Sequence, residues 1–158
     1  TEFADAVIER LGQRPQQLKS VEMKGGAAPA YRYERPQVKR ELCGVDVFVC
    51  DPHSTPDELA QKLLNASRGM LKLKLITNRG VKVWPDGFPE TFCTDHWRCR
   101  FVGPDVVIDM DKATYMPIGH RQIHQLLHLL TDAHIDTIKT ENLYLFDGVR
   151  GFSLGQGE

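Results

Sequence analysis

The sequence predicts an α+β domain preceded by a short helix and a linker, and three observations predict it. From Leu42 onward the apolar spacing switches repeatedly between period 2 and a period near 3.6. Thr55 to Gly69 carries both the start and the stop signals of a helix. Hydrophobic residues at 41% and charged residues at 26% of 158 match an ordinary soluble domain, which at this length buries roughly two thirds of its unfolded surface without a staple.

Residues 1–12, TEFADAVIERLG, set Phe3, Val7, Ile8 and Leu11 on one helical stripe, with Thr1 as a cap and Gly12 as a left-handed stop. So short a helix is marginal alone, and its apolar face predicts a partner outside the sequence. Thr1 is not a start residue, so the chain is expected to be a fragment. Residues 13–40 read as a linker: Pro15, Gly25, Gly26, Pro29 and Pro36 fall among Lys and Arg, and only 18–23 alternate like a strand.

The regular segment begins at 42–50, where Val45, Val47 and Val49 alternate with Asp46, Phe48 and Cys50 in a strand. Thr55, Pro56 and Glu58 then form a capping box with proline at the first helical position, and Leu59, Leu63 and Ala66 make the inner face before Gly69. LKLKLIT at 71–77 and VKVW at 81–84 flank the turn Asn78-Arg79-Gly80, which predicts a hairpin. After a Pro/Gly-rich crossing at 85–89, strand 95–101 alternates Trp97, Cys99 and Phe101 against His96, Arg98 and Arg100. A short strand is expected within 106–110, a helix carrying Ile123, Leu126, Leu127 and Leu130 from about Pro117 to His134, and a last strand at 137–146. Residues 147–158 are glycine-rich and read as a flexible tail, ordered only if docked. The order strand, helix, three strands, helix, strand is that of a ferredoxin-like split βαβ sandwich with one added strand over 41–146. Both helices would cover one sheet face, leaving the other polar or in need of a partner.

Charge and composition exclude several classes. A net charge of -1 offers no overall basic surface for nucleic acid, and no apolar run approaches the ~20 residues of a membrane span. Four cysteines in a chain that needs no disulfide read as reduced thiols, which together with the missing export signal predicts a cytoplasmic protein.

Candidate chemistry is sparse. Cys93, His96 and Cys99 suggest zinc, but period 2 sends His96 and Cys99 to opposite faces, so they read as core thiols. His120, His124 and His128 share a helical stripe at metal-chelating spacing, yet without nearby carboxylate support they read as boundary residues of an amphipathic helix. Gly148, Gly151, Gly155 and Gly157 precede no helix and so predict no phosphate cradle. Asp105, Asp109 and Asp111 lack the glycine and distal glutamate of a calcium loop. No catalytic, cofactor-binding or metal-binding residue is assigned. Trp84, Phe88, Phe92 and Trp97, large residues near turns, are the candidate interface residues.

Four stretches resemble the C-terminal extension of the longer bacterial NADP-dependent isocitrate dehydrogenases: GVDVFV at 44–49, ITNRGVKVWPDG at 76–87, DHWRCRF at 95–101 and FDGVRGFSLGQGE at 146–158. TEFADAVIERLG is similar to the last helix of the catalytic core shared by isocitrate and isopropylmalate dehydrogenases. For the parent enzyme the resemblance implies oxidative decarboxylation of isocitrate to 2-oxoglutarate with NADP and magnesium or manganese, and a homodimer. The family's core motifs do not occur here, so the resemblance carries no catalytic position onto this chain and implies that it is inactive alone. The expected role is support of dimer assembly or stability through contact with the upstream catalytic core; the alternative is a small-molecule-binding regulatory domain of the same enzyme.

Overall fold

The computed structural model describes residues 1–19, 21, 34–104, 107–109 and 112–157, with backbone alone at 107–109 and 112–114. The chain divides into two units, Thr1–Pro36 and Gln37–Glu158.

The first unit holds helix α1, Glu2–Arg10. Thr1 makes no side-chain cap bond; its carbonyl accepts from Asp5 N at 2.9 Å, and its ammonium group lies 3.6 Å from the Asp5 carboxylate. Gly12 turns the chain at φ +81°, as its position predicts. The apolar stripe is exposed, with Phe3 at 82% and Leu11 at 72%. The strand-like stretch 18–23 falls largely outside the described residues.

In the second unit, strand β1 (Arg40–Cys50) is followed by α2 (Pro56–Ser67), β2 (Lys72–Asn78), β3 (Val81–Trp84) and β4 (His96–Val102). A small hairpin of β5 (Val107–Asp109) and β6 (Lys112–Thr114) precedes α3 (His120–Asp132), β7 (Asp136–Phe146) and β8 (Val149–Arg150). The result is a mixed α/β unit with a six-stranded sheet ordered β3-β2-β4-β1-β7-β8, antiparallel at each pairing. β1 lies between β4 and β7, which is why Val45, Val47 and Val49 are fully buried. Gly44 is required there, because a Cβ would stand 2.4 Å from the Phe101 carbonyl oxygen.

Local signals explain the helix ends. Glu58 N donates to Thr55 Oγ1 at 3.3 Å while Thr55 N donates to Glu58 Oε2 at 2.8 Å, closing the expected box. The stop falls at a left-handed pair, Arg68 and Gly69. α3 starts three residues later than its apolar spacing suggests, because Ile118 N is drawn to the Leu42 carbonyl of β1 at 2.7 Å. Leu59 and Leu63 of α2 and Ile123, Leu126 and Leu130 of α3 join the β1 valines, Ile76, Trp97, Cys99 and Phe101 in the main core. Each such large side chain contributes about 1.5–3 kcal/mol by leaving water.

The opposite sheet face is where the structure departs most from expectation. Residues 149–157 are docked rather than loose: β8 pairs with β7, Gln156 N donates to Gly80 O, and Lys82 N donates to Gln156 O, both at 2.9 Å. The C-terminal segment thus runs as a strap from the β7 edge to the β3 edge. Phe152 packs edge-on to Tyr115 beside Cys43, Val102, Leu143 and Leu145, a second small core. Edge groups of β3 and a buried guanidinium supply partners that glycine content alone does not reveal. No helix among the described residues is long and apolar enough to cross a membrane.

Candidate functional site

Alternation along the central strands sends Asp46 of β1 and Arg98 and Arg100 of β4 to the face away from the helices. Asp46 and Arg100 are 2% and 0% exposed, and their fork is bidentate: Arg100 Nε and Nη2 donate to the two carboxylate oxygens at 2.8 Å each. Arg100 Nη2 also donates to Ser153 O at 3.0 Å, and its guanidinium lies 4.9 Å from the centre of the Phe152 ring, so the ion pair anchors the strap. Arg98 Nε donates to Thr77 Oγ1 at 3.1 Å and stands 3.8 Å from the same Asp46 carboxylate. One carboxylate therefore serves two arginines. Gly155 completes the closure, since a Cβ there would meet Thr77 Cγ2 at 2.8 Å and Arg98 Nη2 at 3.3 Å.

A cleft of about 670 Å³ opens on the other side of the unit, between the β1–α2 connection and the C-terminal end of α3. Asp51 is its hub, accepting from Lys62 Nζ at 2.9 Å, Ser54 Oγ at 2.7 Å and the backbone N–H groups of His53 and Ser54. Burial pushes its carboxyl pKa up, but the Lys62, Ser54 and backbone hydrogen bonds together outweigh burial and hold it well below the usual range. A sequence signal for this turn exists in Asp51-Pro52-His53-Ser54 ahead of the cap, the pattern of an Asx-turn.

The four candidate interface residues are not brought together. Trp97 is 2% exposed and donates its indole N–H to Asp51 O at 2.9 Å, and Trp84 is half-buried against the main core. Phe88 and Phe92 stand out from the β3–β4 connection at 77% and 72% exposure, Phe92 beneath the Arg79 guanidinium. Cys93, His96 and Cys99 separate as period 2 requires: Cys99 is wholly buried, Cys93 is half-buried, and His96 is exposed against Phe48. Burial pushes the Cys43 thiol up to about 11 and raises that of Cys99. His120, His124 and His128 lie on the exposed side of α3, with His128 Nε2 3.6 Å from Asp132. Asp105 and Asp111, and the Asp109 side chain, lie outside the described residues. Among the described residues no group of three or more His, Cys, Asp or Glu is arranged to hold a metal ion. The tail glycines lie on the sheet, not between a strand and a helix, so they fit no pyrophosphate.

Residues 40–158 match the family described as bacterial isocitrate dehydrogenase, C-terminal domain. The chain is 37% identical to the isocitrate dehydrogenase [NADP] of Rickettsia bellii over 162 residues, covering 99% of this chain and 32% of that protein. With the isocitrate dehydrogenase [NADP] of Thermus thermophilus it shares 30% identity over 169 residues, covering all of this chain and 30% of the relative. The crystal structure of the TT0538 protein from Thermus thermophilus superposes with a TM-score of 0.65 at 29% identity, covering 99% of this chain and 30% of that one. The chain thus spans about a third of the length of the curated relatives it matches. A match that begins at the first residue of the sheet and runs through the strap takes in the buried ion pair and the segment it anchors, and the chain belongs to the bacterial isocitrate dehydrogenase C-terminal domain family.

Proposed function

We propose that this chain is a non-catalytic C-terminal domain of an NADP-dependent isocitrate dehydrogenase, where it supports dimer assembly or stability of an enzyme that oxidatively decarboxylates isocitrate to 2-oxoglutarate in the cytoplasm. The observation that carries the reading is coverage: 99% of the chain aligns with 32% of a relative bearing that activity in its name, within a C-terminal domain family. NADP and magnesium or manganese then belong to the upstream catalytic core, which is the domain's covalent partner. Contact is supported by the exposed stripe Phe3, Val7, Ile8 and Leu11 on α1 and by Phe88 and Phe92, apolar groups that gain by leaving water. A ferredoxin-like split βαβ core is supported by the pairing order β2-β4-β1-β7, which is that of two βαβ halves, with β3 added at one edge and the two-residue β8 at the other.

The test is made in the parent enzyme by deleting the segment that corresponds to 40–158. Sedimentation should show a weaker dimer, the melting temperature should fall, and kcat per assembled dimer should be kept. An unchanged dimer and melting temperature would remove the assembly role, and loss of kcat in an intact dimer would make the domain part of the catalytic machinery.

A further inference from the structure

The strap leaves part of the second sheet face uncovered. A pocket of about 250 Å³ lies there, lined by Phe48, Thr77, Arg79, Gly80, His96 and Arg98. Two arginines line it, and no aspartate or glutamate does; the Arg79 guanidinium also stands 5.7 Å from the centre of the Phe92 ring. Arg98 is fixed in place, with its side chain 18% exposed and Nε bonded to Thr77 Oγ1. Its nearby carboxylate, Asp46, already accepts both forks of Arg100, so the positive charge of Arg98 is only partly balanced. Its Nη2 is buried beneath Gly155 of the strap and has no acceptor among the described residues, so the accessible part of the side chain is the part that lines the pocket. Arg79 is exposed and is held at the rim by the β2–β3 turn, where its own φ is +52°. Phe48 forms an apolar wall, capped on its ring by Lys139 Nζ at 4.2 Å, while Lys139 is itself paired with Glu141. Such a wall lowers the local dielectric and strengthens the field of the two arginines.

We propose that this pocket binds a small doubly charged oxyanion, a phosphate or a short dicarboxylate, between Arg79 and Arg98. The planar guanidinium fork matches either group. The volume is enough to seat such an anion.

The test is a titration of the 158-residue chain, followed by ¹⁵N–¹H correlation spectra at neutral pH and fixed ionic strength, with inorganic phosphate, succinate and the neutral succinamide as probes. Saturable shifts are expected at the amides of Thr77, Gly80 and His96 with the two anions and not with succinamide. Arg79→Gln, an exposed position that leaves the buried cluster intact, should raise the half-saturating concentration about tenfold, while Arg121→Gln on α3 should leave it unchanged. Tighter phosphate binding would assign a phosphorylated ligand, and tighter succinate binding a dicarboxylate. Shifts that stay linear to about 50 mM, shifts confined to other surfaces, or an Arg79→Gln titration equal to the original would overturn the proposal.

Discussion

Replacing Asp46 by asparagine isolates the polar centre of the second sheet face. The substitution keeps the side chain's size and removes the charge that two guanidinium groups share: Arg100 at 0% exposure and Arg98 3.8 Å away. One of the two 2.8 Å bonds to Arg100 would also change from an acceptor to an amide donor facing a donor. Removing one member of a buried pair costs about 3–5 kcal/mol, most of it the penalty of the charge left behind. Against a total of roughly 5–15 kcal/mol, that is a large fraction of the fold's stability. At roughly 3 °C per kcal/mol for a domain of this size, the melting temperature should drop by about 10–15 °C. Urea unfolding read from tryptophan fluorescence gives the free energy, because Trp97 is 2% exposed and Trp84 half-buried in the folded state. The double replacement Asp46→Leu with Arg100→Met should recover only part of the loss, since it removes the unpaired buried charge but also the guanidinium that holds the Ser153 carbonyl, and it leaves Arg98 without its carboxylate. A cost under about 1 kcal/mol for Asp46→Asn, or a double variant as stable as the original chain, would refute the claim that charge pairing holds this face together.

Gly155→Ala would push a methyl group to 2.8 Å from the Cγ2 of the buried Thr77, so the strap should lift, with about 1–3 kcal/mol lost and faster hydrogen exchange at the Lys82 amide. Asp51 has a folded pKa below its unfolded value, so its hydrogen bonds stabilise fully above about pH 4 and the contribution fades as pH falls toward the folded pKa. The stability gap between the original chain and Asp51→Asn should accordingly be constant near neutrality and narrow at pH values below about 4, as urea titrations at several pH values would show. A thiol reagent at mildly alkaline pH should modify Cys50 and Cys93, which are half-buried, well before Cys43 and Cys99, which are buried, and all four should react in denaturant. Mass spectrometry of quenched samples resolves the order.

What can be read without coordinates is local. The capping box needs only Thr55 and Glu58 three residues apart, and the left-handed stop at Gly69 needs only a residue without a Cβ penalty. Period 2 in 45–49 and 97–101 assigns the valines, Trp97, Cys99 and Phe101 to one face and splits His96 from Cys99, and the burial pattern agrees. The start of α3 is not legible in the same way, because a long-range bond from Ile118 to Leu42 competes with helical propensity and no local pattern reports it. Size and nearness to turns group Trp84 and Trp97 with Phe88 and Phe92, a criterion blind to burial. The anion pocket is hidden for a similar reason: its residues come from β1, β2, the β2–β3 turn and β4.

Helix caps, side-chain periodicity and motif strings are properties of neighbouring residues, so the amino-acid order alone is enough to establish most elements, the buried face of each and the family to which the chain belongs. The fate of the glycine-rich end is not of that kind. Its docking as a strap depends on Ser153 and Gln156 finding Arg100, Gly80 and Lys82, partners 53 to 76 positions away along the chain. Their hydrogen bonds exist only once the sheet has brought β3, β4 and β7 into register, and a buried guanidinium, costly to leave short of hydrogen bonds, then holds the segment down through the Ser153 carbonyl.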